Sequence, residues 1–201
     1  SIATTSLAVL VGVFTAYALA RLNFPGKGLV TGIILAASMF PGIALVTPLF
    51  QLFGDLGWIG TYRAMIIPNI SFALPLTIYT LVSFFRQLPW ELEEAARVDG
   101  ASRGQAFRLV LLPLAAPALF TTAILAFIAT WNEFMLARQL STTATEPVTV
   151  AIARFSGPSA FEYPYASIMA AGALVTVPLI IMVLIFQRRI VSGLTAGGVK
   201  A

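Results

Sequence analysis

Five stretches long enough to cross a lipid bilayer, each free of Asp, Glu, Lys and Arg, dominate this chain: Ile2–Ala20, Gly28–Gly54, Ala64–Phe85, Leu109–Asn132 and Tyr163–Gln187. A helix needs about 20 mostly apolar residues to cross the hydrocarbon core. Because lipid offers the backbone no hydrogen-bond partners, such stretches fold as helices. The expectation is an all-α fold: a polytopic transmembrane helical bundle forming one domain over residues 1–201. Its spans are placed at about 2–20, 28–53, 64–85, 109–134 and 165–187, with a cytoplasmic loop over 86–108 that holds a short helix. Composition agrees, since 59% of residues are hydrophobic and 10% charged, against about 25% charged in soluble domains.

Glycine and proline interrupt these stretches at Pro41-Gly42 and Pro48, at Pro68 and Pro75, at Pro113 and Pro117, and at Pro178. Proline costs a soluble helix interior about 3 kcal/mol. In a membrane bundle it is tolerated, because neighbouring helices satisfy the freed carbonyls and the helix bends. Kinked spans are therefore expected, as packing devices or as hinges.

The net charge of +4 comes from twelve Lys and Arg against eight acidic residues. These cations form no basic stripe of the kind that nucleic acid requires, but they divide sharply between the two sides. Arg21, Lys27, Arg86, Arg97, Arg103, Arg108, Arg188, Arg189 and Lys200 fall on one side, and Arg63, Arg138 and Arg154 on the other. By the positive-inside rule the richer side, with the C-terminus, is cytoplasmic. An odd number of spans then starts the fragment outside. A sixth helix is expected before Ser1, and the first apolar run lacks the basic flank of a cleavable leader.

The chain has no cysteine and no histidine. Disulfides, thiolate nucleophiles, Cys/His zinc sites and imidazole bases are thereby excluded together. The spans hold no ionisable residue at their centres to bind a coupling ion, which argues against a secondary transporter. The acidic cluster lies in a loop, not beside a span, which argues against a membrane-embedded enzyme. Composition alone does not exclude a channel.

The loop RQLPWELEEAARVDGASRGQAFRLVLLP has its own local logic. Pro89 suits a first helical turn, and Glu91, Glu93 and Glu94 sit at the positive end of the helix dipole. Gly100 suits a left-handed stop. Ser102 with Gln105 reads as a capping box that starts the next helix. The sum is a short amphiphilic helix, a tight turn and a second helix leading into the fourth span.

Within this loop Glu94-Ala95-Ala96, Gly100, Val110 and Leu112-Pro113 stand at the spacing of the EAA signature. The chain thereby resembles the permease subunits of bacterial ATP-binding-cassette (ABC) importers. Asp99-Gly100-Ala101 and Phe107 extend the resemblance to the carbohydrate-uptake branch. Trp131-Asn132-Glu133-Phe134, with Ala18-Leu19-Ala20-Arg21 and Phe24-Pro25-Gly26-Lys27, is similar to the maltose-type inner-membrane permeases, specifically the second permease without a large periplasmic insertion. The tail Gln187–Lys200 and the stretch Pro113–Pro117 resemble the mycobacterial trehalose-importing members.

The resemblance implies a non-catalytic subunit that moves a sugar, such as the disaccharide trehalose, across the cytoplasmic membrane by alternating access. Other solutes, glycerol phosphate or an oligosaccharide, remain open at this point. It also implies that Glu94, Ala95, Ala96, Asp99 and Gly100 form a coupling helix that docks on an ATPase subunit. No phosphate-binding loop GxxxxGK[ST] is present, so ATP and Mg belong to a partner chain, and no cofactor is expected in this one. The implied partners are a second homologous permease, two ATPase subunits or domains, an extracytoplasmic sugar-binding protein or lipoprotein, and membrane lipid; nucleic acid is not among them.

Trp131, Asn132 and Glu133 close the fourth span. They read either as an interfacial anchor within an aromatic belt or as the outer mouth of the path, touching sugar hydroxyls or the binding protein. The stretch Arg138–Pro164, with Thr142-Thr143-Ala144-Thr145, Pro147 and Ser156-Gly157-Pro158-Ser159, is too polar for a span. It reads as a connecting loop, and the resemblance adds a surface for the binding protein.

Overall fold

The structure is a computed structural model that describes residues 1–155 and 164–196. Ser156–Ser159, Tyr163 and the tail Gly197–Lys200 lie outside the described residues. The described residues are almost wholly helical and contain no strand. Three helices form the core: α1 (Ile2–Arg21), α4 (Tyr62–Gln87) and α8 (Ala116–Trp131). Between α1 and α4 come α2 (Lys27–Met39) and α3 (Val46–Asp55), joined through a 3-10 turn at Gly42–Leu45.

The sequence explains how closely α1 and α4 pack. Ala8, Gly12 and Ala16 repeat every four residues, which lays a small-residue stripe along one face of α1 and lets two backbones approach in lipid. Gly12 is where the approach is tightest, because a Cβ there would collide with the Thr77 side chain. Around the stripe the core divides. Ala8, Ala73 and Ala126 pack near one end. Val13, Leu19, Leu81, Phe85, Phe107 and Leu111 pack toward the end that carries Arg21.

Three helices are long and apolar enough to cross a membrane, or up to five spans if each of two bent helix pairs counts as one, and both bends have identifiable causes. Lys27–Met39 and Gly42–Asp55 meet at 91°, where Pro41 holds an extended backbone and ends the helix before it. Arg103–Leu114 and Ala116–Trp131 meet at 70°. The first arm comprises α6 (Arg103–Ala106), a π-helical turn at Phe107–Leu111 and α7 (Leu112–Leu114). The break falls at Ala115, where Pro117, in the first turn of the second arm, has no N–H to give the Pro113 carbonyl. Pro113 likewise has none for the carbonyl at Leu109, inside the π-helical turn. The other prolines disturb less: Pro48 sits in the first turn of α3, where no N–H is needed. Pro68, Pro75 and Pro178 are carried inside long helices.

The outermost helix, α11 (Tyr165–Ala196), follows two short ones, α9 (Met135–Leu140) and α10 (Val148–Ala153). The sequence reading had loop over much of α9 and all of α10. Both are too short and too weakly periodic to announce themselves, and α9 depends on a cap described below. Neither α2 nor α11 over Tyr165–Gln187 contains a buried residue. Leu29 is 69% exposed and Leu174 72% exposed, which water would not tolerate over so wide a surface.

Several hydroxyls in the spans are satisfied within their own helices, whereas Thr5 and Thr122 Oγ1 are buried with no partner in the protein. Thr15, Thr31, Thr77 and Thr80 each donate to the carbonyl four residues back, at 2.8–2.9 Å. Lipid-facing helices can therefore carry them without an unpaired donor.

Candidate functional site: the loop helix and the opposite mouth

The loop between α4 and α8 begins at Leu88, which is extended as a residue before proline should be. Pro89 therefore lies outside the helix, not in its first turn. The N-cap is Trp90, whose carbonyl accepts from the amides of Glu93 and Glu94. Helix α5 (Glu91–Val98) starts there with three glutamates in its first turn, where the dipole favours negative charge.

At the other end of α5, Gly100 adopts φ +89°. The Ala101 amide donates to the Ala96 carbonyl at 2.9 Å and the Gly100 amide to Arg97 at 3.1 Å. That pair of bonds is the Schellman ending, which needs a left-handed residue and so selects glycine. Two residues on, the Ser102 Oγ accepts from the Gln105 amide at 3.3 Å, while Gln105 Oε1 accepts from the Ser102 amide at 2.8 Å. The capping box is complete, and the angle between α5 and α6 is set by backbone chemistry at both sides of one turn.

Side chains on α5 separate by face. Glu94, Ala95, Asp99 and Gly100 are exposed, Ala96 is half-buried, and Val98 is 86% exposed. Glu93 is only 6% exposed. Its Oε1 accepts from the Tyr17 hydroxyl at 3.1 Å, and the Tyr17 ring lies 4.5 Å from that of Phe107. Arg21, 5% exposed, donates from Nη2 to the Leu88 carbonyl and places its guanidinium 4.5 Å above the Trp90 ring. Sequence reasoning took Glu93 as a dipole partner and Arg21 as an orientation charge. The signal it passed over was Tyr17 and Arg21, four apart and therefore on one face of an otherwise apolar helix.

At the opposite end the candidate residues behave differently. Glu133 accepts from the amides of Leu136 at 2.8 Å and Ala137 at 3.1 Å, one through each carboxylate oxygen. It thereby caps α9. Its own carbonyl accepts from Thr149 Oγ1 at 3.2 Å, which ties in α10. Asn132 is exposed and donates back to Ile128 at 2.9 Å. Trp131 is half-buried with its ring 5.4 Å from Phe127. Glu146 pairs with Arg154 at 2.8 Å. A cavity of about 470 Å³ opens here among Tyr62, Asn69, Thr130, Trp131 and Glu133, and a second of about 260 Å³ shares Asn69, Thr130 and Glu133 with it. Among the described residues no group of acidic side chains is arranged to hold a metal.

Long apolar helices with uncovered lipid-scale faces, bent helix pairs and a structured loop at one end define a multi-pass membrane protein. Residues 8–196 match the family described as binding-protein-dependent transport system inner membrane component, and the chain belongs to that family. It is 55% identical, over 98% of its length and 72% of the relative's, to the trehalose transport system permease protein SugB of Mycobacterium tuberculosis. It is 47% identical, over 98% of its length and 70% of the relative's, to the trehalose/maltose transport system permease protein MalG of Thermococcus litoralis. A solved bacterial ABC transporter that imports the acidic polysaccharide alginate has a chain that superposes with a TM-score of 0.68 at 26% identity, covering 94% of this chain and 73% of that one. The protein is thus a non-catalytic permease subunit of an ABC transporter, and ATP hydrolysis falls to separate subunits.

Proposed function

We propose that this permease imports a sugar, with trehalose as its foremost substrate, and that the exposed face of α5 is where an ATPase subunit docks. The observation that carries the docking reading is the construction of α5. Glu94, Ala95, Asp99 and Gly100 are presented to solvent on a helix whose exit angle is held by the Schellman turn and the capping box. Two alanines give a smooth face for close approach. Glu94 and Asp99 offer charged acceptors to a partner's arginine or backbone amides.

The substrate reading rests on the 55% and 47% identity to relatives named for trehalose and for trehalose/maltose transport. With several span hydroxyls spent within their own helices and no ionisable residue at the span centres, few groups are left to read a sugar, so a separate binding protein or lipoprotein supplies the high-affinity site. A second homologous permease and two ATPase subunits complete the assembly, with ATP and Mg on the ATPase side. Closure of the ATPase pair moves the docked helices and switches the path between its two faces. Residues 1–201 act as one transmembrane domain of the bacterial inner membrane, and the end carrying Arg21 and α5, with the C-terminus, faces the cytoplasm. Trp131, Asn132 and Glu133 shape the outer mouth, Glu133 through the α9 cap.

The test is uptake and ATP hydrolysis in proteoliposomes holding the whole complex. Labelled trehalose should be accumulated and should stimulate hydrolysis, while glycerol phosphate and longer oligosaccharides should not. Glu94→Lys, which reverses an exposed charge, and Gly100→Pro, which cannot adopt φ +89°, should lose the ATPase or uncouple it. Normal transport by both variants would refute the docking role.

A further inference from the structure

The geometry points to Tyr17, Arg21 and Glu93 as positioning residues: a buried polar joint that fastens the loop helix α5 to α1 and delivers its motion to the span. This inference rests on the proposed docking of α5. Three contacts make the joint. The Tyr17 hydroxyl donates to Glu93, the Arg21 Nη2 donates to the Leu88 carbonyl just before α5, and the Arg21 guanidinium covers Trp90, the N-cap of α5. Both contact sets bridge residues 67 or more apart in sequence, so they join elements where α5's internal bonds do not.

Packing alone does not account for these residues. Apolar side chains of the same size would fill the space with a smaller desolvation cost than a buried guanidinium and a buried carboxylate. The cost is visible: Arg21 Nε and Nη1 and Glu93 Oε2 are buried with no hydrogen-bond partner in the protein. What charged and hydrogen-bonded groups add over apolar ones is direction, since they hold only in one relative orientation. A motion applied to the exposed face of α5 is therefore transmitted to the end of α1. From there the tight contact of Gly12 with Thr77 carries it into α4, because a packed interface with no spare volume moves as one body.

Variants of the whole complex in proteoliposomes test this, with labelled trehalose taken up per ATP hydrolysed as the readout. Tyr17→Phe keeps the ring against Phe85 and Phe107 and removes only the hydroxyl. Arg21→Gln removes the charge and the planar fork. Each should keep its ATPase through purification yet lose about fivefold in uptake per ATP, the low end of ordinary coupling between sites. Trp90→Phe, which leaves a ring beneath the guanidinium, should stay within about twofold. If Arg21→Gln does not fold, Tyr17→Phe decides. Unchanged uptake per ATP in Tyr17→Phe, beside an uncoupled Glu94→Lys, overturns the joint and leaves the docking role standing. Glu94→Lys and Gly100→Pro complexes that both hold their ATPase and their coupling overturn the docking role itself.

Discussion

Glu93 and Glu133 stand at opposite ends of the same three-helix core, and each keeps part of its carboxylate out of water. Glu133 serves its own neighbourhood, with both oxygens capping amides three and four residues ahead. Glu93 reaches across the fold to a tyrosine 76 residues away. One carboxylate makes a short helix possible; the other ties two elements together. The packing around them differs in the same sense. The Arg21 end is filled by Phe85, Leu81 and Leu111, all fully buried, and its pocket of about 480 Å³ lies on the loop surface among Ser102, Gln105 and Arg108. At the Glu133 end cavities of about 260 and 470 Å³ open, and the smaller reaches the buried Ala73 and Ala126 of the core. A solid end suits transmission of force, and an open end suits passage of a solute.

That contrast predicts an order of effects. Phe85→Ala should cost most, about 3–5 kcal/mol of stability from a cavity in a filled core, read as a lowered melting temperature in lipid nanodiscs. Gly12→Val should follow at about 1–3 kcal/mol, because a branched side chain has to displace Thr77. Glu133→Ala removes the acceptor for two amides and should cost about 1 kcal/mol. It should also raise hydrogen exchange selectively over Met135–Leu140. Val98→Ser, at an uncovered position, should shift the isolated permease by less than about 0.5 kcal/mol yet weaken retention of the ATPase. A Glu133→Ala loss as large as that of Phe85→Ala would erase the distinction between the two ends. A Val98→Ser complex indistinguishable from wild type would restrict the docking face to Glu94, Ala95, Asp99 and Gly100.

Much of this was legible in the chain itself. Spans are runs of about twenty apolar residues, and the cap chemistry of the loop is confined to windows of four to six, as at Ser102–Gln105 and Ala96–Ala101. The left-handed Gly100 and the position of Glu94, Ala95 and Ala96 on a short helix were readable for that reason. The break at Pro41 was legible as a kink, though its 91° was not, since an angle depends on what each arm packs against. Helix α9 was missed because it has only six residues, its N-cap position is Phe134, and its cap comes from Glu133, outside the Ser/Thr/Asp/Asn pattern that marks a helix start.

What the sequence by itself determined is therefore everything carried by local composition and spacing: membrane-length helices, charge asymmetry and the capped loop helix. Tertiary structure alone decided that Glu93 turns inward while its neighbour Glu94 turns out. One residue is a rotation of about 100° on a helix, so adjacent glutamates of identical chemistry face opposite environments. Which of them is buried depends on where Tyr17 and Arg21 of a distant helix come to rest.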